Sequence, residues 1–166
     1  MISIDTFPKY FVPNPIVSLP ERDVFGVLHG RAYVPTYGPE HSKTAMAGCE
    51  YDVKTGGQTV FHSLLEAALD LKLALSPYVI EARPHYPMSL DKRVKRRLGF
   101  GERLLTSELP TIDRVLTLQS RDDGSLHLHG ISVKPEDQLR DDAVTRRHKR
   151  EELYMASRGG SSIHPR

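Results

Sequence analysis

The chain contains no tryptophan and only one cysteine, and aromatic residues make up 7% of its 166 residues. A core without many aromatic side chains must rest on leucine, valine, isoleucine and alanine. The single Cys49 excludes an internal disulfide and a metal site built from several thiolates, and a reducing compartment is the simplest inference. Cys49 also lacks the histidine and asparagine companions that would indicate a thiol nucleophile.

Long hydrophobic runs and a strong excess of one charge are also missing. No stretch approaches the roughly 18 apolar residues of a membrane helix. Residues 1–10 lack the basic start and apolar run of a signal peptide. The 23 basic and 21 acidic residues leave a net charge of +2, which says little about partners. We therefore expect one globular domain in the cytoplasm with no membrane partner.

Proline and glycine divide the sequence into an irregular first third and a regular remainder. Residues 1–57 hold six prolines and are predicted to form an N-terminal arm with short edge elements. Residues 58–166 are predicted to be the core, an α/β fold with a mixed central sheet flanked by helices. Its elements are a helix over 60–75, strands over 78–86, 111–118 and 126–134, a charged helix over 137–157, and a possible last strand.

The helix predicted over residues 60–75 carries two different stripes. His62, Glu66 and Asp70 recur every fourth residue and therefore share one side of the helix. A second, broad apolar face at helical spacing comprises Phe61, Leu64, Leu65, Ala68, Leu71 and Leu75.

The hairpin around residues 121–125 contains the most informative pattern. Asp-Gly at 123–124 is the strongest short signal for a two-residue turn, and that turn would place Asp113 opposite Lys134. Ser132 would share their face because side chains alternate along a strand. A carboxylate beside an ammonium suits phosphodiester hydrolysis, in which a divalent cation polarises the phosphate and a lysine stabilises developing charge. A surface ion pair is the alternative.

Four segments carry a resemblance to a known family, in the order 61–71 (FHSLLEAALDL), 79–87 (VIEARPHYP), 111–113 (TID) and 131–135 (ISVKP). They are similar to TnsA, the endonuclease subunit of heteromeric transposases, and the match in order and spacing extends over about residues 56–166. The resemblance implies a restriction-endonuclease-like fold with Glu66, Asp113 and Lys134 in the active site. Ser132 stands where the family usually has glutamine.

The resemblance also implies a cofactor and a reaction. Glu66 and Asp113 would hold magnesium, with manganese as a substitute, and the backbone carbonyl of Val133 would be a further ligand. Lys134 would stabilise charge and the nucleophile, and Ser132 would support the site as a weaker partner than a carboxylate. The expected reaction is hydrolysis of double-stranded DNA at the 5′ ends of a mobile element, leaving a 3′-hydroxyl and a 5′-phosphate.

The implied partners are a transposase of the DDE type and an AAA+ regulator, in a bacterial, nucleoid-associated setting. The family's C-terminal partner-binding region is expected to be absent, because the sequence stops where that region should begin. Two alternatives stay open. One is a catalytically weak or inactive nuclease-fold module that binds DNA or docks a partner, which Ser132 favours. The other is a free-standing nuclease of a phage or a defence system.

Basic residues ahead of the Asp113 strand form a candidate DNA surface. They are predicted to contact phosphates, which supplies affinity without sequence information, and a solubilising loop is the alternative. This set comprises Lys92, Arg93, Lys95, Arg96, Arg97 and Arg103. A second basic set lies among acidic residues, so ordinary pairing on a helix surface is at least as strongly indicated. It comprises Arg146, Arg147, Lys149 and Arg150.

Histidines offer two further interpretations. His127 and His129 alternate on one strand and could chelate zinc, but a third ligand at useful spacing is missing, so a structural zinc site is not expected. His85 follows the Glu66 helix, at a position where the family often has a polar residue near the metal. It could orient water, and a partly buried, hydrogen-bonded histidine is the favoured alternative.

Overall fold

The computed structural model describes residues 7–42, 46–88, 110–135, 138–139 and 141–163 of the chain. The regular elements, in chain order, are α1 (Phe7–Tyr10), β1 (Gly48–Tyr51), β2 (Gln58–Phe61), α2 (Leu64–Leu75), β3 (Glu81–Pro87), β4 (Thr111–Gln119), β5 (Leu126–Ile131), α3 (Asp142–Ala156) and β6 (Ser161–Ile163). Two short 3-10 turns, Gly30–Ala32 and Pro39–His41, precede β1. None of the described helices is long and apolar enough to cross a membrane.

The strands form a four-stranded mixed sheet and a separate two-stranded hairpin. The larger sheet has the order β3-β4-β5-β6, and β1 pairs with β2 in the smaller one. β3, β4 and β5 are antiparallel neighbours, whereas β6 runs parallel to β5. A parallel pair needs a long crossover, and α3 supplies it between β5 and β6. The predicted α/β class with a mixed sheet is therefore confirmed.

The two long helices cover opposite faces of the larger sheet. Leu73 of α2 belongs to a buried apolar cluster with Leu116, whereas Met155 of α3 belongs to a second cluster with Val115. Neighbouring residues of a strand point to opposite faces. The sheet thus separates α2 from α3, as a central sheet flanked by helices requires.

The described part of the N-terminal arm packs on the sheet. Val27 and Tyr33 are buried in the cluster on the α3 side, and the Tyr33 hydroxyl donates a hydrogen bond of 2.6 Å to the carbonyl of Pro84. His29 pairs with the buried Glu81 of β3. β1, at the end of the arm, pairs with β2 on the other side of the predicted boundary. The arm therefore contributes directly to the core.

The register of the β4–β5 hairpin corrects the prediction by two residues. Arg114 pairs with Ile131. Extended by one residue, this register places Asp113 across from Ser132, not across from Lys134. A shift of two residues keeps every side chain on its own face, whereas a shift of one would reverse them all. Asp113, Ser132 and Lys134 therefore still share a face.

The turn length explains this shift. The backbone N–H of Ser120 donates to the carbonyl of Ser125 at 2.8 Å, so four residues, 121–124, form the loop instead of two. Gly124 adopts a φ of +70°, which glycine tolerates without strain. The Asp-Gly pair thus lies at the end of a longer turn and not at its centre.

The start of α2 is a second correction. Residues 58–61 form β2, and the helix begins at Leu64 instead of residue 60. Ser63 caps it, since its hydroxyl accepts the N–H of Glu66 at 3.2 Å, and the Glu66 carboxylate accepts the N–H of His62 at 3.1 Å. Ser-x-x-Glu is the sequence pattern of such a cap. The β-prone Thr59-Val60-Phe61 segment thus belongs to the strand before it.

Three other boundaries differ by a few residues. The strand predicted over 78–86 occupies Glu81–Pro87, and the strand predicted over 126–134 ends at Ile131. The helix predicted over 137–157 is Asp142–Ala156, and Asp141 caps it by accepting the N–H of Ala143 at 2.7 Å. The last strand, predicted after the glycine pair at 159–160, is β6.

The cap of α2 leads to a stability prediction. Ser63→Ala removes the acceptor for the N–H of Glu66, and we expect the free energy of unfolding to fall by about 1 kcal/mol. Urea denaturation measures this loss. Ser76→Ala is the matched control at the other end of α2, where the Ser76 hydroxyl accepts only a 3.4 Å contact from Tyr78. Equal stability of Ser63→Ala and the wild-type protein would contradict the role of Ser63.

Candidate functional site

Asp113 and Lys134 are in contact at the end of the β4–β5 hairpin. The Lys134 ammonium lies 3.1 Å from Oδ2 of Asp113, and the backbone N–H of Val133 donates to the same oxygen at 2.9 Å. Arg147 of α3 donates to Oδ1 at 2.7 Å. Lys134 lies beyond the last paired residue of β5, so it reaches Asp113 along the strand axis. The predicted pair thus meets, although not through the predicted register.

Asp113 is only 5% exposed, and its charge depends on these partners. Burial raises the pKa of Asp113, but the Lys134 ammonium, the Arg147 guanidinium and the Val133 N–H together lower it more. The pKa therefore lies below its ordinary value, and the carboxylate is ionised at neutral pH.

Arg114, the next residue of β4, is fully buried on the opposite face and uses all five of its N–H groups. Nε and Nη2 each donate to an oxygen of Asp70 at 2.6 Å, and Nη2 also donates to the carbonyl of Val60 at 2.9 Å. Nη1 donates to the backbone carbonyl of Asp113 at 2.6 Å and lies 3.5 Å from Oε2 of Glu66. Arg114 therefore connects Glu66 with Asp113.

Ser132 points to α3 and not to Asp113. Its hydroxyl donates to the fully buried carboxylate of Glu151, which also accepts Nε of Arg147 at 2.6 Å. Arg147 pairs with a residue four positions along α3, but Glu151 is buried, so this is not the surface pair that the sequence pattern indicated; Lys149 and Glu152 form such a pair. The same guanidinium also contacts Asp113, which the sequence pattern did not indicate.

These charged residues form two sets of ion pairs around the end of β4. On the α2 side, Arg114 pairs with Glu66 and Asp70, which leaves one excess negative charge when all three are ionised. On the α3 side, Lys134 and Arg147 pair with Asp113 and Glu151, and their charges balance. The two sets are linked where Nη1 of Arg114 donates to the backbone carbonyl of Asp113. The sequence pattern indicated Glu66, Asp113 and Lys134 but not the buried roles of Asp70, Arg114 and Glu151.

His85 lies beside Glu66 on the α2 side. Its Nε2 is 3.9 Å from Oε2 of Glu66, and its ring stacks on His62 with centroids 4.1 Å apart. His85 is 3% exposed, and Nε2 has no hydrogen-bond partner within the described residues. The favoured expectation of a hydrogen-bonded histidine is therefore not met at this nitrogen.

The carboxylates of Glu66 and Asp113 are the type of ligand that a hard cation prefers, and no contact joins one carboxylate to the other in the described residues. Magnesium is commonly held by one or two carboxylates and keeps several waters. Asp113 accepts three hydrogen bonds, which leaves about one of its four lone-pair positions unused. Oε1 of Glu66 makes no hydrogen bond with the described residues, since the contacts of this carboxylate with His62, Arg114 and His85 are all at Oε2. No group of three or more acidic, histidine or cysteine side chains poised for a metal occurs in the described ranges.

The remaining candidate residues are two histidines of β5, the single cysteine and six basic residues ahead of β4. His127 and His129 both contact the hydroxyl of Ser161, at 2.8 Å and 2.6 Å, so a serine lies between the two rings. Cys49 is exposed on β1. The predicted DNA-contacting residues Lys92, Arg93, Lys95, Arg96, Arg97 and Arg103 lie outside the described residues. Their role stays a prediction.

Comparison with protein-family models and with curated proteins found no match to this chain.

The contacts of Asp113 predict how its titration depends on Lys134. Lys134→Met removes a cation 3.1 Å from the carboxylate, so we expect the pKa of Asp113 to rise. Carbon-13 NMR of the carboxyl group in metal-free protein measures it, with Lys149→Met as control because Lys149 pairs with Glu152 on the surface. A pKa that does not change in Lys134→Met would contradict the assigned cause.

The sign of the linked stability follows from the lowered pKa. The stability that Asp113 contributes is fully present above its unfolded pKa of about 3.9 and is lost as the pH falls through the lower folded value. In Lys134→Met the folded and unfolded values lie closer together. The variant should therefore lose less stability on acidification than the wild-type protein does.

Proposed function

We propose that the chain is a metal-dependent DNA endonuclease of the restriction-enzyme-like class, similar to TnsA. The contact between Asp113 and Lys134, with Glu66 connected to Asp113 through Arg114, is the observation that carries this proposal. The three side chains come from α2, from β4 and from the segment after β5. Asp113 and Lys134 are in contact, and Glu66 is linked to the backbone of Asp113 through Arg114, because the fold brings the ends of these elements close together.

The architecture supports the proposal at the level of element order. A helix with the glutamate, a strand with the aspartate and a further strand followed by the lysine is the arrangement that the resemblance implies. β6 then follows α3 and lies parallel to β5, in agreement with the implied step from helix to strand. A restriction-endonuclease-like fold is accordingly our proposal for the finer class, beyond the mixed α/β sheet.

The proposed roles follow from the contacts. Glu66, Asp113 and the carbonyl of Val133 would hold magnesium or manganese, which polarises the phosphate and lowers the pKa of a water molecule. Lys134, whose side chain is 19% exposed, is a cation that an incoming phosphate would meet, together with the more exposed Arg147, and it would stabilise the charge that develops in the transition state. Ser132 would act only indirectly, because its hydroxyl is bound to Glu151.

Charge balance favours binding of the cation together with DNA. The set on the α2 side, in which Arg114 pairs with Glu66 and Asp70, carries one excess negative charge, so it would attract a divalent cation and would then be positive by one charge. A phosphodiester carries one negative charge, so it would neutralise the loaded site. The excess charge thus gives a physical reason for the cation and the DNA to bind in sequence.

The activity test uses Asp113. Full-length protein is incubated with double-stranded DNA carrying element ends, the partner transposase and magnesium. Asp113→Asn keeps the size of the side chain and removes the charge, and we expect cleavage to fall by at least about a hundredfold, as when one charge-stabilising group is removed. Asp122→Asn, in the exposed turn, should cleave like the wild-type protein. Equal cleavage by Asp113→Asn would refute the site.

Partners remain part of the same proposal. A transposase of the DDE type would act at the 3′ ends of the element while this chain cuts the 5′ ends, under an AAA+ regulator. Cleavage of DNA by the chain alone would favour a free-standing phage or defence nuclease instead.

A second candidate is a nuclease-fold module that binds DNA or docks a partner without efficient cleavage. Two observations favour it. Arg147 and Lys134 together engage both oxygens of Asp113, and Ser132 offers a hydroxyl where the resembling family has an amide. A hydroxyl that already donates to Glu151 is a poor ligand for a cation.

Ser132→Gln separates the two candidates. If the native site is weak, the longer amide restores an oxygen donor beside Lys134, and magnesium-dependent cleavage should rise by about tenfold or more, the scale of one supporting group at a metal site. Thr117→Gln, a buried polar position on the same face, controls for the added volume. Unchanged or lower cleavage by a folded Ser132→Gln would count against an idle native site.

A further inference from the structure

We propose that His85 is a ligand of the cation at the Glu66 site and that it makes the site selective for transition-type divalent cations, such as manganese or cobalt, over magnesium. This inference rests on the proposed metal-dependent function and specifies its cofactor. It concerns a residue on β3 that faces α2, the helix that carries Glu66.

An unpartnered nitrogen is the first observation. Nearly all buried polar atoms in folded proteins have a hydrogen-bond partner, and each exception calls for an explanation. Nε2 of His85 is buried without such a partner within the described residues, and 3.9 Å to Oε2 of Glu66 is too long for a hydrogen bond. Two ligand atoms each about 2.1 Å from one cation lie at most about 4.2 Å apart, so this spacing accommodates a shared cation.

The backbone of His85 is the second observation. It adopts a φ of +48°, a left-handed conformation within a strand that histidine rarely adopts. Arg83 and Tyr86 both donate to Oδ2 of Asp23 at 2.6 Å, although regular alternation would direct residues three apart to opposite faces. The left-handed residue breaks the alternation of β3, and the ring of His85 contacts Glu66 and His62 instead.

The ring of His85 is held in a fixed orientation. It stacks on His62, and Nε2 of His62 lies 2.9 Å from the carbonyl of Gly38, which fixes the plane of the pair. An imidazole binds a metal through the lone pair of an unprotonated ring nitrogen. Nε2 of His85, which is buried without a partner in the described residues, is the nitrogen that would supply this lone pair.

The donor type determines the preferred cation. Magnesium selects oxygen ligands, whereas imidazole suits later divalent metals, and affinity for a nitrogen-containing site rises along the first-row series. Glu66 and His85 would supply two protein ligands, and water or a phosphate oxygen would complete the coordination. A site of this type retains magnesium binding through Glu66 but binds manganese and cobalt more tightly through the added nitrogen.

The experiment measures metal binding directly and does not depend on cleavage. Metal-stripped full-length protein is titrated calorimetrically with Mg²⁺, Mn²⁺ and Co²⁺. His85→Asn keeps a residue that tolerates positive φ and replaces the nitrogen ligand by an amide. We expect this variant to bind Mn²⁺ and Co²⁺ at least about tenfold more weakly, because losing even a residue that only hydrogen-bonds to a metal ligand has an effect of this size. The affinity for Mg²⁺ should change much less.

A spectroscopic measurement on the wild-type protein keeps the test independent of how the variant folds. Pulsed electron paramagnetic resonance of the Mn²⁺ complex should show coupling to one imidazole nitrogen. This coupling should persist in His127→Asn, whose partly buried histidine lies on β5. Wild-type protein without nitrogen coupling, equal Mn²⁺ affinity in folded His85→Asn, or coupling that His127→Asn removes would each overturn the inference.

The outcomes also separate this inference from the proposed function. Cleavage that depends on Asp113, together with a manganese spectrum free of nitrogen coupling, overturns the role of His85 and leaves the nuclease proposal standing. Nitrogen-coupled manganese in a protein that cleaves no DNA supports the role of His85 as a ligand and counts against the nuclease proposal.

Discussion

The relative positions of several elements of this structure depend on one buried guanidinium. Arg114 is fully enclosed, and an unpaired charge in such a place is strongly unfavourable. Its five N–H groups are satisfied only if α2, β2 and β4 come together, because the acceptors belong to Asp70, Glu66, Val60 and Asp113. Removing one partner of a buried ion pair typically costs about 3–5 kcal/mol. The position of Glu66 relative to Asp113 is therefore a consequence of satisfying Arg114.

This constraint reverses the ordinary orientation of α2. The buried positions include Glu66 and Asp70 with Leu73, whereas Leu64, Leu71 and Leu75 are each more than 60% exposed. Apolar periodicity normally marks the side of a helix that packs on the core. Here the ion pairs with Arg114 turn the polar stripe toward the sheet. Local rules of this kind are most often broken at functional sites, which agrees with the proposed location of the active site.

The predictable part of the structure was the part set by local patterns. The alternation of β4 and β5 placed Asp113, Ser132 and Lys134 on one face, and this held despite a turn two residues longer, because an even shift preserves the face. The start of α2 could also have been predicted, since Ser63 and Glu66 form a capping pattern. In contrast, the partners of Arg114 and Glu151 depend on contacts between elements far apart in sequence. A single charged residue in a strand or helix does not indicate them.

The same contacts relate stability to the proposed chemistry. In the metal-free protein, Lys134 and Arg147 compensate the charge of Asp113, so the ionised carboxylate does not need a metal ion. The side chain of Arg147 is 32% exposed, and Lys134 is also partly accessible, whereas Arg114 is enclosed. The accessible cations can exchange a carboxylate for a phosphate once a divalent cation compensates the charge of the buried Asp113, whereas the enclosed Arg114 cannot. Binding of a divalent cation and DNA would then rearrange the partners on the α3 side, while Arg114 holds the α2 side, with Glu66 and His85, in place.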